Sequence, residues 1–144
     1  MGQQQLLLLV LGIVIVGLAV VVGIQAFSEN QKKANADSIV NDGIRIASDI
    51  QAWSLKPAAF GGPSKVPGSV EEIGDAEFVD IGLTATSDGY TNTNGNYTLS
   101  DNDGNACIII TGVSATAGNT VTIKVDGTSQ NDIETNINGT ALEC

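Results

Sequence analysis

The sequence predicts an α+β protein: one long N-terminal α-helix packed on a small C-terminal antiparallel β-sheet domain. Three observations carry this. Leu6 to Ile24 is a run of 19 residues without a polar side chain. Past it, apolar residues recur at helical spacing as far as Trp53. After residue 106 the sequence reads as a meander of short strands, one apolar throughout and the later ones alternating. The expected organisation is 1–27 as an apolar membrane or assembly helix, 28–56 as its amphipathic continuation, and 57–144 as an acidic, β-rich extracellular domain.

At ~1.5 Å per residue the apolar run makes a helix ~28 Å long, close to the ~30 Å hydrocarbon core of a bilayer. A helix apolar on every side needs lipid or other helices around it. A removable secretory signal fits poorly. Met1-Gly2-Gln3-Gln4-Gln5 carries no Lys or Arg, and Ile24-Gln25-Ala26 is no small-x-small cleavage site. Lys32 and Lys33 follow the run, so the positive-inside rule alone places that end in the cytoplasm. The composition of the tail places it outside. A basic leader already removed reconciles the two, with Met1 as the first residue of a processed chain.

The second helical segment places Ala36, Ile39, Gly43, Ile46, Ile50 and Trp53 on one stripe, while Lys32, Asn35, Asp42, Arg45 and Asp49 fall mostly elsewhere. Pro57 stops it. The two segments join as one helix of about 55 residues, ~80 Å long. The 88 residues beyond it make a globule with a radius of gyration of only ~12 Å, too small to cover the whole helix.

Residues 57–105 read as irregular, punctuated by Pro57, Gly61-Gly62-Pro63 and Pro67-Gly68. Val70 to Val79 reads as a short helix or edge strand, and Asn92 to Asp103 as an exposed loop. Cys107-Ile108-Ile109-Ile110 is apolar at every position, as in a central strand covered on both faces. Val121, Ile123 and Val125 alternate with polar neighbours, as do Ile133, Thr135 and Ile137 with theirs. Asn138-Gly139 then signals a hairpin, with the last residues pairing back as a short strand beside the sheet.

The net charge of −10 lies entirely beyond residue 56. Residues 28–56 hold four acids and four bases; of sixteen acids and six bases, twelve acids and two bases, Lys65 and Lys124, remain. Nucleic acid is excluded as a partner, because binding phosphate needs clustered cations. The only cysteines, Cys107 and Cys144, pair if the domain sits on an oxidising face.

Sharper sites are few. Asp101-Asn102-Asp103-Gly104-Asn105 has the start of a calcium loop, but position six is Ala106 and position twelve is Gly112, so no metal is expected. Asn96-Tyr97-Thr98 and Asn138-Gly139-Thr140 match the N-glycosylation pattern. The chain has no His, and no G-x-S-x-G or phosphate-binding loop. No catalytic residue and no cofactor is expected, and Trp53 is read as core.

An apolar stretch of about twenty residues, an amphipathic helix and a β domain closed by a C-terminal disulfide together resemble a type IV pilin. The likeness covers the architecture of the whole chain, with motif support only in the first 25 or so residues. It implies a structural subunit that a prepilin peptidase processes, with Met1 as the N-methylated residue. The subunit waits in the inner membrane until an assembly motor adds it to a helical homopolymer on the cell surface. Gln5, Leu6, Gly12, Gly17 and Gly23 then fall in the assembly core. Two departures stand out. The family's usual glutamate at the fifth position is Gln5 here, and its common proline is absent, with Val22 and Gly23 in that region. An amide in hydrocarbon costs less than a carboxylate and still accepts a bond from an ammonium. Gln3 to Gln5 either hold a neighbour's N-terminal amine or mark the membrane interface. A pseudopilin of a secretion system, or a single-pass anchored binding protein, is the alternative reading.

Overall fold

The computed structural model describes residues 2–63, 73–101 and 107–144. A single α-helix, α1, spans Gly2–Ser54. Five strands follow: β1 (Tyr90–Thr91), β2 (Gly95–Asp101), β3 (Ile108–Ser114), β4 (Thr120–Val125) and β5 (Ile133–Ile137). They form one antiparallel sheet in the order β1-β2-β3-β4-β5, so every neighbour in space is a neighbour in sequence. The chain divides into two compact units, Met1–Lys33 and Ala34–Cys144.

Within the second unit the expected stripe is the buried one. Ala36, Ile39, Gly43, Ile46, Ile50 and Trp53 are all buried, joined by Ala47. Ile39, Ile46, Ala47, Ile50 and Trp53 meet Ile108 and Ile110 of β3 and Val121, Ile123 and Val125 of β4 in one core. Each such side chain contributes roughly 1.5–3 kcal/mol when fully buried. Two glycines set how closely helix and sheet approach. A Cβ on Gly43 would fall onto Ile123 Cδ1, and one on Gly112 would lie 2.6 Å from Ile39 Cγ2. At the end of α1, Trp53 Nε1 donates to Gly61 O at 2.9 Å, so the turn beyond Pro57 folds back on the helix terminus.

Four expectations need correction. Within the stretch Asn92 to Asp103, Gly95 to Asp101 is not an exposed loop but the strand β2, paired with β3 at all seven positions; residues 102 and 103 lie outside the described residues. Its inward residues are Tyr97, fully buried, and Leu99, half-buried. Long-range pairing has overridden a composition rich in Asn, Thr and Gly, since β preference expresses packing more than intrinsic backbone bias.

β3 is central, as expected, but covered well on one face only. Ile108 and Ile110 face the helix and are buried, whereas Ile109 on the opposite face is half-exposed. In the Val70 to Val79 region, residues 73–79 form turns rather than a helix or strand; residues 70–72 lie outside the described residues.

The fourth correction is the C-terminus, where no strand follows β5. A two-residue type I′ hairpin needs positive φ at both central positions. Asn138 has φ 50°, but Gly139 is not among the positive-φ residues. Asn138 N instead donates to Thr120 O at 2.8 Å, ending β5 in line with β4. The remaining residues run to Cys144, which is bonded to Cys107.

Candidate functional site

From Gly2 to Ser28 the helix carries no ionisable side chain. Backbone groups are satisfied along the helix, so side chains alone decide what it can contact. Every large apolar residue from Leu6 to Ile24 is exposed in the single chain, from 50% at Val10 and Leu11 to 69% at Leu7. The span is long and apolar enough to cross a membrane.

Gln5 and Leu6 are exposed at its start. Gly12, Gly17 and Gly23 are also exposed, and a Cβ added at any of them would meet nothing within 4 Å. These glycines therefore serve no packing within the chain. At 100° per residue Gly12 and Gly23 share a face and Gly17 lies on another, so close approach is available on two sides. Met1 lies outside the described residues.

A polar hub, which sequence reasoning missed, ties α1 to the sheet. Asp42 Oδ2 accepts from Asn94 Nδ2 at 2.7 Å, Asn92 Nδ2 at 2.8 Å and Tyr97 OH at 2.8 Å. Burial opposes the charge on Asp42. The three hydrogen bonds, from Asn94, Asn92 and Tyr97, together with the positive charge of Arg45, outweigh it and hold the carboxyl below its ordinary range. The same arrangement drives Tyr97 far above an ordinary phenol: burial first, then its hydrogen bond to Asp42 and that group's charge. The available signal was Asn92 and Asn94 two residues apart, followed by a lone tyrosine, opposite an acid on the flank of the helical stripe. The hub has no nucleophile beside a base, so its chemistry is that of a clasp. Farther along, Gln51 Nε2 makes a second tie, donating to Gly127 O at 2.7 Å and Ser129 O at 3.0 Å.

The two cysteines form the disulfide Cys107–Cys144, with Cα atoms 5.8 Å apart. Neither glycosylation-pattern asparagine is a free amide. Asn96 lies within β2, its Nδ2 donating to Asp88 O at 3.3 Å and its Oδ1 accepting from Thr91 Oγ1. Asn138 is exposed, but its Oδ1 accepts from Thr120 N at 2.8 Å and its Nδ2 donates to Asn119 Oδ1 at 3.0 Å. Residues 102–105 of the calcium-like stretch lie outside the described residues. Among the described residues no group of three or more His, Cys, Asp or Glu is placed to hold a metal ion. No protein family, curated protein or solved structure matches the chain.

Proposed function

We propose that the chain is the structural subunit of an extracellular helical filament of the type IV pilus kind, polymerising through its apolar N-terminal helix. The observation that carries this reading is the exposure of the whole run from Leu6 to Ile24, apolar on all sides. Water does not tolerate so large an apolar surface, so lipid surrounds it before assembly and copies of the same helix surround it afterwards.

Lipid tails are as apolar as leucine, so moving the helix from membrane to filament gains little hydrophobic energy. Assembly therefore needs an external motor to extract the subunit, and close packing at Gly12, Gly17 and Gly23 sets the geometry. Gln5 sits at the edge of the run, where a neutral amide enters hydrocarbon more cheaply than a carboxylate. The acidic outer domain keeps the fibre surface soluble, and the Cys107–Cys144 bond suits an oxidising exterior.

The same helix length also favours a simpler reading, a single-pass anchored surface protein that never polymerises. Negative-stain microscopy of material sheared from the cell surface, labelled with antibody to the outer domain, separates the two. Filaments labelled along their length support the proposal. Protein confined to the membrane fraction, with no labelled filament, favours the anchor.

A further inference from the structure

The sheet ends in two edges of unequal length. One is β1, two residues long, and an edge so short offers little to pair with. The other is β5, in unbroken register with β4 from Ile133 to Ile137. Proteins guard such an edge with lysine, proline or a bulge, and β5 has none of these. Asn138 N donates to Thr120 O and Asp126 N to Asp132 O, which fixes the alternation of bonds between β4 and β5. Glu134 and Asn136 therefore turn their backbone groups towards β4, while Ile133, Thr135 and Ile137 turn theirs outward. Among the described residues these outward N–H and C=O groups have no backbone partner.

Neither face of β5 closes off this edge. Thr135 and Ile137 share the face that carries the core, yet both are exposed, Ile137 to 47%, so α1 does not overhang the strand. Ile133 on the same face is half-buried against the core. On the opposite face Asn136 Nδ2 donates to Thr140 O at 2.7 Å, so the tail leaves β5 across that face rather than along the edge.

One register of two antiparallel copies of β5 satisfies all of these groups. With a twofold axis at Thr135, Thr135 faces its own copy and Ile133 faces Ile137, so every outward group is paired. Ile137 gains an apolar neighbour, and Glu134 falls opposite the amide of Asn136. Moving the axis to Glu134 sets that acid against itself, and moving it to Asn136 leaves Ile133 opposite Gly139, past the end of the strand. We propose that two copies of this chain pair edge to edge through β5, about a twofold axis at Thr135, making one continuous sheet. The contact is isologous.

Its direction follows from α1. Asn35 Nδ2 donates to Asn94 O near the Ile137 end of β5, and Gln51 Nε2 to Gly127 O near the Ile133 end. The twofold reverses this direction, so the paired copies point opposite ways. Subunits of one filament all point the same way, so the contact joins two filaments running in opposite directions, and to that extent it rests on the filament reading. The net charge of −10 opposes close approach. A pair of edges this short also falls below the ~1,000 Å² of a free-standing interface. Repetition along two filaments supplies the missing strength.

The test uses sheared material from the full chain carrying Thr135→Lys or Thr135→Glu. Thr135 is exposed, so both changes spare the core. Wild-type filaments should lie side by side and pellet at low speed. Each variant alone should give single filaments, with the low-speed pellet falling several-fold, because like charges meet at the axis. Mixing the two variants should restore the bundles, because Lys then meets Glu. As a second readout, Thr135→Cys under mild oxidation should give a disulfide-linked dimer on a denaturing gel, since its two Cα atoms lie about 5.5 Å apart across the axis. Thr128→Cys, exposed on the turn before β5, should not. Filaments that bundle equally with either charge, or that give no Thr135→Cys dimer, overturn the pairing and leave the filament reading standing. A dimer specific to Thr135→Cys in cells that make no filament supports the pairing and defeats the filament reading. Neither filament nor dimer defeats both.

Discussion

The Tyr97 hydroxyl, on a fully buried residue of β2, donates to Asp42 Oδ2 of α1 at 2.8 Å, joining positions 55 residues apart in sequence. Tyr97→Phe removes this bond to a charged acceptor and should destabilise the outer domain by about 1–2 kcal/mol. Asp42→Ala should cost more, about 2–3 kcal/mol, because it leaves a buried hydroxyl and two amides without their acceptor. Urea denaturation of both variants checks the order. Equal stability of wild type and Asp42→Ala would show that the clasp contributes nothing.

The two groups also set opposite pH limits. The carboxyl of Asp42 is lowered in the folded state, so its contribution is present above the ordinary carboxylate value of 3.8 and is lost as pH falls below it. The phenol of Tyr97 is raised, so its contribution is full below pH 10 and declines as pH rises past that value. Melting curves of wild type and Tyr97→Phe should therefore differ at neutral pH and converge above pH 10. A difference that persists unchanged into strong alkali contradicts this assignment.

Gly112 is the closest approach of β3 to the helix. A Cβ there would lie 2.6 Å from Ile39 Cγ2 and 3.1 Å from Tyr97 Cε1, and neither residue has room to retreat in a packed core. Gly112→Val should destabilise by about 1–3 kcal/mol despite its better strand preference. Gly118→Ala, in a turn with φ 68° and open space, should cost less, through backbone strain alone. Thermal melts of the two variants give the ranking.

Beyond Asn138 no strand pairing holds the chain, and the disulfide anchors Cys144 beside the start of β3. With a sequence separation of 37, the bond should stabilise the domain by up to about 4 kcal/mol in the chain-entropy picture. Reduction should lower the domain's melting temperature and open residues 138–144 to protease. Filaments should remain visible, because neither cysteine lies near the apolar helix in sequence. Filaments that dissolve on reduction contradict the division of labour proposed here.

Gly17 has open space around it in the single chain. Gly17→Leu should therefore leave the monomer helix intact, and strengthen it by about 0.8 kcal/mol on intrinsic preference. If helices pack closely there in the fibre, the same change should abolish or reshape filaments while membrane insertion is unaffected. Normal filaments from this variant would place the close contact elsewhere.

The parts of the fold that were legible in the sequence share one property: their periodicity survives without knowledge of partners. The stripe from Ala36 to Trp53 and the apolar positions Val121, Ile123 and Val125 of β4 express burial directly; β5 lies where its alternation puts a strand, but Thr135 and Ile137 on its expected inner face are exposed. The strand β2 was hidden because only Tyr97 and Leu99 mark its inner face, among Asn, Thr, Ser and Gly that signal turns in isolation. Its pairing comes from β3, which no local window contains. The Asp42 hub was hidden for the same reason, since its donors reach a helix 50 to 55 residues away. The C-terminal tail misled in the opposite direction. Asn138-Gly139 carries a strong local turn signal, but the residues after it are committed to reaching Cys107 rather than to pairing with β5.

The central claim is that residues 6–24 of many copies form the core of a filament. Helical reconstruction of filaments sheared from the surface tests it most directly. The expected map shows a central bundle of apolar helices, with the Cys107–Cys144 domains on the outside. A map in which the axis is built from β domains, with the apolar helices splayed into lipid or absent, would contradict it.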